Sequence, residues 1–172
     1  MQFFVRAVKM MSQICGVISG LLIAAAVVIV CQMVFLRKVL NENTIWQTDF
    51  VTYSLVAATF LGAPYVLMKR GHVNVDIVPL YVGQTARYRL ALFSIFVSLI
   101  FCVIITWLSA EFWYDAWRTN EVSNSMWRAR LWIHYTAMPV GLGILTLQYI
   151  ADLINLVTGR DYPFGLSPET KL

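Results

Sequence analysis

Four long stretches of this chain carry no charged side chain, and they limit its fold more than any other feature. Met10–Leu36, Phe50–Met68, Leu90–Ala110 and Leu131–Ala151 contain no Asp, Glu, Lys or Arg. A helix crossing a bilayer needs roughly 20 apolar residues, and each stretch reaches or nearly reaches that length. Hydrophobic residues make up 59% of the chain and charged residues 13%, against about half and a quarter in water-soluble domains. The prediction is an all-α polytopic membrane protein, one four-helix transmembrane domain over residues 1–172. Its spans fall at about 12–36, 49–68, 90–112 and 131–153, with short interfacial helical segments between them. The connections are too short to house a soluble domain.

The first stretch reads as an uncleaved span. Arg6 and Lys9 resemble the charged start of a signal peptide, but the apolar run behind them is about twice the usual length. Ala24, Ala25 and Ala26, the small residues a cleavage site would need, lie in its middle. Cys15, Cys31 and Cys102 all sit within apolar runs and form no CxxC pair, so they read as small packing residues. The net charge of +4 is read as membrane topology. No basic stripe with interleaved aromatics points to nucleic acid.

Lys and Arg are enriched in cytoplasmic loops. With the N-terminus inside, the inner segments hold eight basic residues: Arg6, Lys9, Lys69, Arg70, Arg87, Arg89, Arg160 and Lys171. The outer segments hold five: Arg37, Lys38, Arg118, Arg128 and Arg130. Both termini are therefore expected in the cytoplasm. Trp107, Trp113, Tyr114, Trp117, Trp127, Trp132 and Tyr135 gather at the outer ends of spans three and four. There they suit an interfacial belt or the docking of a partner. Val73 to Arg89 is longer than a tight turn requires and is expected to lie on the inner membrane surface, as are residues 1–12.

Small residues recur at helical spacing in span one (Gly16, Gly20, Ala24) and in span two (Ser54, Ala58, Gly62). In lipid, helices associate through close backbone approach rather than hydrophobic force, so these stripes mark helix contacts, within the chain or with another protein. Pro64 and Pro139 fall inside spans two and four, where each removes a backbone donor and bends its helix.

Sharper chemistries find little support. His72 and His134 fall at opposite ends of the membrane, which excludes a bis-histidine haem. No nucleophile–base pair, metal cluster or phosphate-binding loop stands out, so no enzymatic activity is expected. Asp49, Glu111 and Asp152 sit at run edges, as solvated end-charges do. A stand-alone proton-coupled carrier would place an ionisable group within a span. The residues alone reach an accessory or scaffold subunit of a membrane complex.

A resemblance carries further. Phe60-Leu61-Gly62-Ala63, then Leu67-Met68-Lys69-Arg70-Gly71-His72-Val73-Asn74-Val75-Asp76, resembles the signature of the small permease subunit of tripartite ATP-independent periplasmic (TRAP) transporters. Val34-Phe35-Leu36-Arg37 resembles that family's arginine at the outer end of span one. Trp46 with Asp49 resembles its tryptophan–acid start of span two, although the acid there is usually Glu. Trp132, Tyr135 and Pro139-Val140-Gly141 resemble its fourth span, although Arg128-Ala129-Arg130-Leu131 stands where a proline is common. The likeness covers roughly residues 27–150.

The resemblance implies a bacterial inner-membrane complex. A periplasmic binding protein hands an organic anion, such as a C4-dicarboxylate or sialic acid, to a large permease subunit that uses sodium. This chain would then scaffold that subunit without a cofactor of its own. The alternatives are a stand-alone small carrier and the membrane anchor of a redox complex. On this footing Arg37, Asp49, Ser54, Ala58, Gly62, Pro64, Trp132 and Pro139 are candidate subunit-interface or structural residues. Arg37 and Asp49 would clamp the first outer hairpin or contact the large subunit, or simply snorkel. Lys69, Arg70, His72 and Asp76 are candidates for lipid headgroups or an inner-face contact. Arg118, Arg128 and Arg130 are candidates for the binding protein.

Overall fold

The structure, a computed structural model, describes residues 2–69 and 84–158. It is helical through the four long charge-free stretches, apart from a break at Thr136. Helix α1 spans Gln2–Phe35 and passes into a π-helical turn, Leu36–Leu40. Helix α2 spans Gln47–Met68, α3 spans Gln84–Arg118, and the fourth span consists of α4, Leu131–Tyr135, and α5, Ala137–Val157. All four spans are long and apolar enough to cross a membrane. Among the described residues there is no strand, only one isolated antiparallel bridge between Val122 and Arg130.

Two helices exceed the bilayer. At 1.5 Å per residue, the 34 residues of α1 and the 35 of α3 each run about 50 Å, against a hydrocarbon core of about 30 Å. The excess of α1 lies at its N-terminal end. Residues 2–12 are not a separate surface segment: Val5 and Val8 are buried against Ala151, with Leu147 and Ile154 packed around them. An unbroken helix satisfies its own backbone, and a ready apolar groove on α5 outweighs the headgroup region for these valines. Helix α3 overruns its apolar stretch at both ends, and the C-terminal excess carries Glu111, Asp115 and Arg118. The expected inner-surface segment falls mostly outside the described residues, and its last part, Gln84–Arg89, is the start of α3.

Helix ends follow local chemistry. Asn41, in the left-handed conformation (φ 53°), closes the π turn with its N–H on the Leu36 carbonyl. Asn120 (φ 50°) closes α3: its N–H reaches Trp117 O, and Glu121 N–H reaches Ala116 O. That pairing is a Schellman motif, with Asn tolerating the left-handed position that Gly usually fills.

Helix α5 sits at the centre and packs on α1, α2 and α3, while α1 and α2 pack along each other. Helix α3 leans chiefly on α5 and α4. One apolar cluster joins Cys102, Leu142 and Leu145 with Phe60, Ala63, Leu67, Ile105 and Tyr149 around them. The bundle is thus built around one span and leaves wide faces of α1 and α3 bare.

Candidate subunit interface

Phe60, Leu61 and Gly62 of α2 and Gly141 of α5, part of the segments that carry the family resemblance, lie at the crossings of α2. Pro64 has no N–H, so the carbonyl four residues earlier, that of Phe60, lacks its helical donor. Gly141 of α5 lies directly against that carbonyl: a Cβ there would overlap Phe60 O and come within 2.6 Å of Phe60 C. Only a residue without a side chain allows such an approach, and its Cα–H groups face a carbonyl that lost its usual partner. Pro64 is fully buried. The proline of one span and the glycine of another therefore make a single contact.

The small residues of α2 face α1. Gly62 packs on Ser19, whose hydroxyl donates to the Ala58 carbonyl at 2.7 Å. Ser54 and Ala58 are buried, and Gly16 lies under the ring of Tyr65. The stripe in α1 then divides: Gly20 has nothing within 4 Å of where a Cβ would stand, and Gly20 and Ala24 are both exposed.

Pro139 lies in the first turn of α5, and the missing donor leaves the span interrupted at Thr136. Side chains at the break tie it to α3 and back onto α4. Thr136 Oγ1 donates to Trp132 O at 2.8 Å, and Trp113 Nε1 of α3 donates to Trp132 O at 3.1 Å and to Thr136 Oγ1 at 2.9 Å. Lower down, Thr106 and Thr146 hydroxyls join α3 to α5 at 3.1 Å.

Asp152 is no solvated end-charge. It is half-buried on α5 and accepts from Gln148 Nε2 at 3.1 Å, while Ser12 of α1 donates to Gln148 Oε1 at 3.1 Å. Gln148 and Ser12 are wholly buried and Asn155 nearly so. These groups escaped the sequence reading, although Gln148, Asp152 and Asn155 follow the i, i+4, i+7 spacing of one helix face.

At the end of the bundle where α1 meets α2, the expected pairing of Arg37 with Asp49 is not made. Arg37 Nε donates to Thr44 Oγ1 at 2.8 Å, because the π turn directs it along its own loop. Asp49 Oδ2 is instead buried without a hydrogen-bond partner. One turn on, Tyr53 stacks on His134 at 4.2 Å, and Trp127 meets the same imidazole at 5.9 Å. His134 Nδ1 lies 3.1 Å from Arg130 O, which can only accept, so Nδ1 carries the proton. The loop above turns without a proline: Ser123 N–H bonds Ala129 O, Leu131 N–H bonds Glu121 O, and Arg128 adopts a left-handed φ of 49°. Arg118, Arg128 and Arg130 are all exposed. Lys69 is exposed at the C-terminal end of α2, its Nζ 5.9 Å from the Tyr65 ring centre. Arg70, His72 and Asp76 lie outside the described residues.

Among the described residues, no group of three or more His, Cys, Asp or Glu side chains is placed to hold a metal. The polar side chains within the spans mostly bond helix to helix or back to their own helix. The fold and these contacts define a polytopic helical membrane subunit. The family profile for the DctQ component of tripartite ATP-independent periplasmic transporters matches residues 26–159. The chain belongs to that family, which is a family of transporter components rather than of enzymes. It is 20% identical over 148 residues to the C4-dicarboxylate TRAP transporter small permease protein of Vibrio cholerae. That alignment covers 74% of this chain and 64% of the relative, so the chain spans about two-thirds of the relative's length. No solved structure matches the chain.

Proposed function

We propose that this chain is the stationary small subunit of a sodium-coupled importer of organic anions. It holds the large permease subunit in the bacterial inner membrane, with both termini cytoplasmic, while a periplasmic binding protein delivers substrate to the outer face. The large subunit carries the sodium and substrate sites. The name of the Vibrio cholerae relative makes C4-dicarboxylates the first substrate class to assay.

The observation behind this reading is the uneven burial of the spans. In its most apolar stretch, the fourth span buries 39% of its residues within the chain and the third only 11%. Helices α1 and α3 accordingly present Val17, Leu21, Val28, Phe93, Phe101 and Trp107 outward, each more than 60% exposed. In lipid, such faces serve equally for acyl chains or for a partner's helices, and a scaffold needs both.

The test is uptake in proteoliposomes. The chain alone should transport nothing. Reconstitution with the large permease subunit, the binding protein and an inward sodium gradient should give C4-dicarboxylate uptake that disappears when this chain is left out. Solo transport would make the chain a carrier. A haem or quinone signal in the purified chain would make it a redox anchor.

A further inference from the structure

The loop between α3 and α4 is fastened along most of its length. Glu121 N–H bonds Ala116 O, Leu131 N–H bonds Glu121 O, Ser123 N–H bonds Ala129 O, and Val122 pairs with Arg130. The Ser123 hydroxyl bonds that of Ser125 at 3.0 Å, Ala129 is buried, and Trp127 lies edge-on to His134. From this frame Met126 projects, 85% exposed, and Val122 and Trp127 of the same loop are exposed too. The loop leaves α3 at Arg118, past Ala110 where the charge-free stretch ends. At 1.5 Å per residue that excess is about 12 Å, against a headgroup layer of about 5–7 Å, so the loop begins beyond the lipid.

The charges point the same way. Arg118, Arg128 and Arg130 are exposed and none is ion-paired among the described residues, although Asp115 and Glu121 are close in sequence and exposed as well. Glu111 is taken by Trp107 Nε1 at 2.8 Å. Arg128 adopts a left-handed φ of 49°, and at the other two such positions the chain uses Asn41 and Asn120. Asn or Gly fits that conformation at lower cost than Arg, and backbone strain of this kind gathers where a side chain is needed for function. Met, Trp and Arg are the side chains enriched where proteins bury surface on one another. A loop already fastened also loses little freedom on docking.

We infer that this loop is the docking face for the periplasmic binding protein. Met126 enters an apolar pocket on that protein, and Arg128 and Arg130 pair with carboxylates at the pocket rim. The inference rests on the proposed function, which supplies the partner and puts the loop on its side of the membrane.

The experiment uses the full-length chain with the large permease subunit in nanodiscs, and follows binding of the periplasmic binding protein by stopped flow. Met126→Ser should raise the dissociation rate about tenfold and leave association unchanged, as loss of a buried anchor does. Arg130→Gln should slow association several-fold and flatten its salt dependence, as loss of a rim charge does. Arg128→Gly relieves the left-handed backbone, so it should keep or raise the Tm while slowing association in the same way. The first of those effects without the second overturns the pairing of Arg128. Unchanged binding with Met126→Ser overturns the inference as a whole. So does a bimane label on the Met126→Cys variant that brominated lipids quench and the binding protein does not shift, which would make the loop a lipid contact. A wild-type complex that takes up no binding protein sinks the functional reading itself, and the inference with it.

Discussion

Replacing Gly141 with Ala tests whether the Pro64–Gly141 contact sets the spacing of α2 and α5. The new methyl group would stand 2.6 Å from the Phe60 carbonyl carbon and 3.1 Å from the Leu61 nitrogen, where ordinary contact begins at 3.4 Å. The obstructing atoms are backbone and cannot rotate aside, so the two helices must part by about 0.8 Å. Separation on that scale forfeits roughly a quarter to a half of each dispersion contact along the seam. Overpacking of this kind costs about 1–3 kcal/mol, and a backbone obstacle belongs at the upper end. Against this, exchanging Gly for Ala within a helix gains about 1 kcal/mol. Gly143, two residues on, has nothing within 4 Å of where its Cβ would be, and Gly143→Ala collects that gain without the clash. The propensity effect is common to both variants, so their difference isolates the contact. Gly141→Ala should be less stable than Gly143→Ala by about 3 kcal/mol, roughly a hundredfold in the folded ratio. Reversible unfolding in mixed micelles, followed through the six tryptophans, measures it. Two variants agreeing to within about 0.5 kcal/mol, the range of neutral substitutions, would show that Gly141 does not bear on the crossing.

Trp113→Phe keeps the ring but removes the N–H shared by Trp132 O and Thr136 Oγ1, and should cost about 1 kcal/mol in the same unfolding assay. Thr136→Val should cost a similar amount, and the pair should be non-additive in a double-mutant cycle. Gln148→Leu strands the Ser12 hydroxyl and takes a donor from Asp152, for a loss of about 2 kcal/mol; adding Ser12→Ala should return part of it, and a further loss would refute the link between α1 and α5. Neutralising Arg118, Arg128 and Arg130 together should slow association of the periplasmic binding protein and flatten its salt dependence. Stopped-flow binding at two ionic strengths decides this, and an unchanged salt slope rejects the assignment.

The spans were legible because charge exclusion is a property of the residues themselves, and the lipid enforces it without reference to any neighbour. The same holds for Pro64 and Pro139, whose missing donors are fixed by covalent structure. What the sequence did not reveal is which partner answers each of them. Phe60 O meets Gly141, and Trp113 bonds Trp132 O and Thr136 Oγ1 beside the break that precedes Pro139, only because the fourth span crosses α2 and α3 at those heights, and a linear pattern holds no record of crossing points. The Arg37–Asp49 pairing failed for a related reason. Opposite charges at the two ends of a short loop suggest a clamp, but the π turn rotates Arg37 toward Thr44, and periodicity of 3.6 residues does not anticipate a turn of the wider helix.

Asp152 and Asp49 began as the same kind of residue, an acid at the edge of an apolar run, and the fold separates them. Asp152 is drawn into a chain of side-chain bonds that ties α1 to α5, and that part of the molecule is internally complete. Asp49 has a buried oxygen without a hydrogen-bond partner among the described residues, at the end of the bundle where the fourth span is broken and the loops are irregular. The half of the bundle around Gln148 is therefore tied helix to helix by side-chain bonds, and the start of α2 is held by apolar packing and its own backbone.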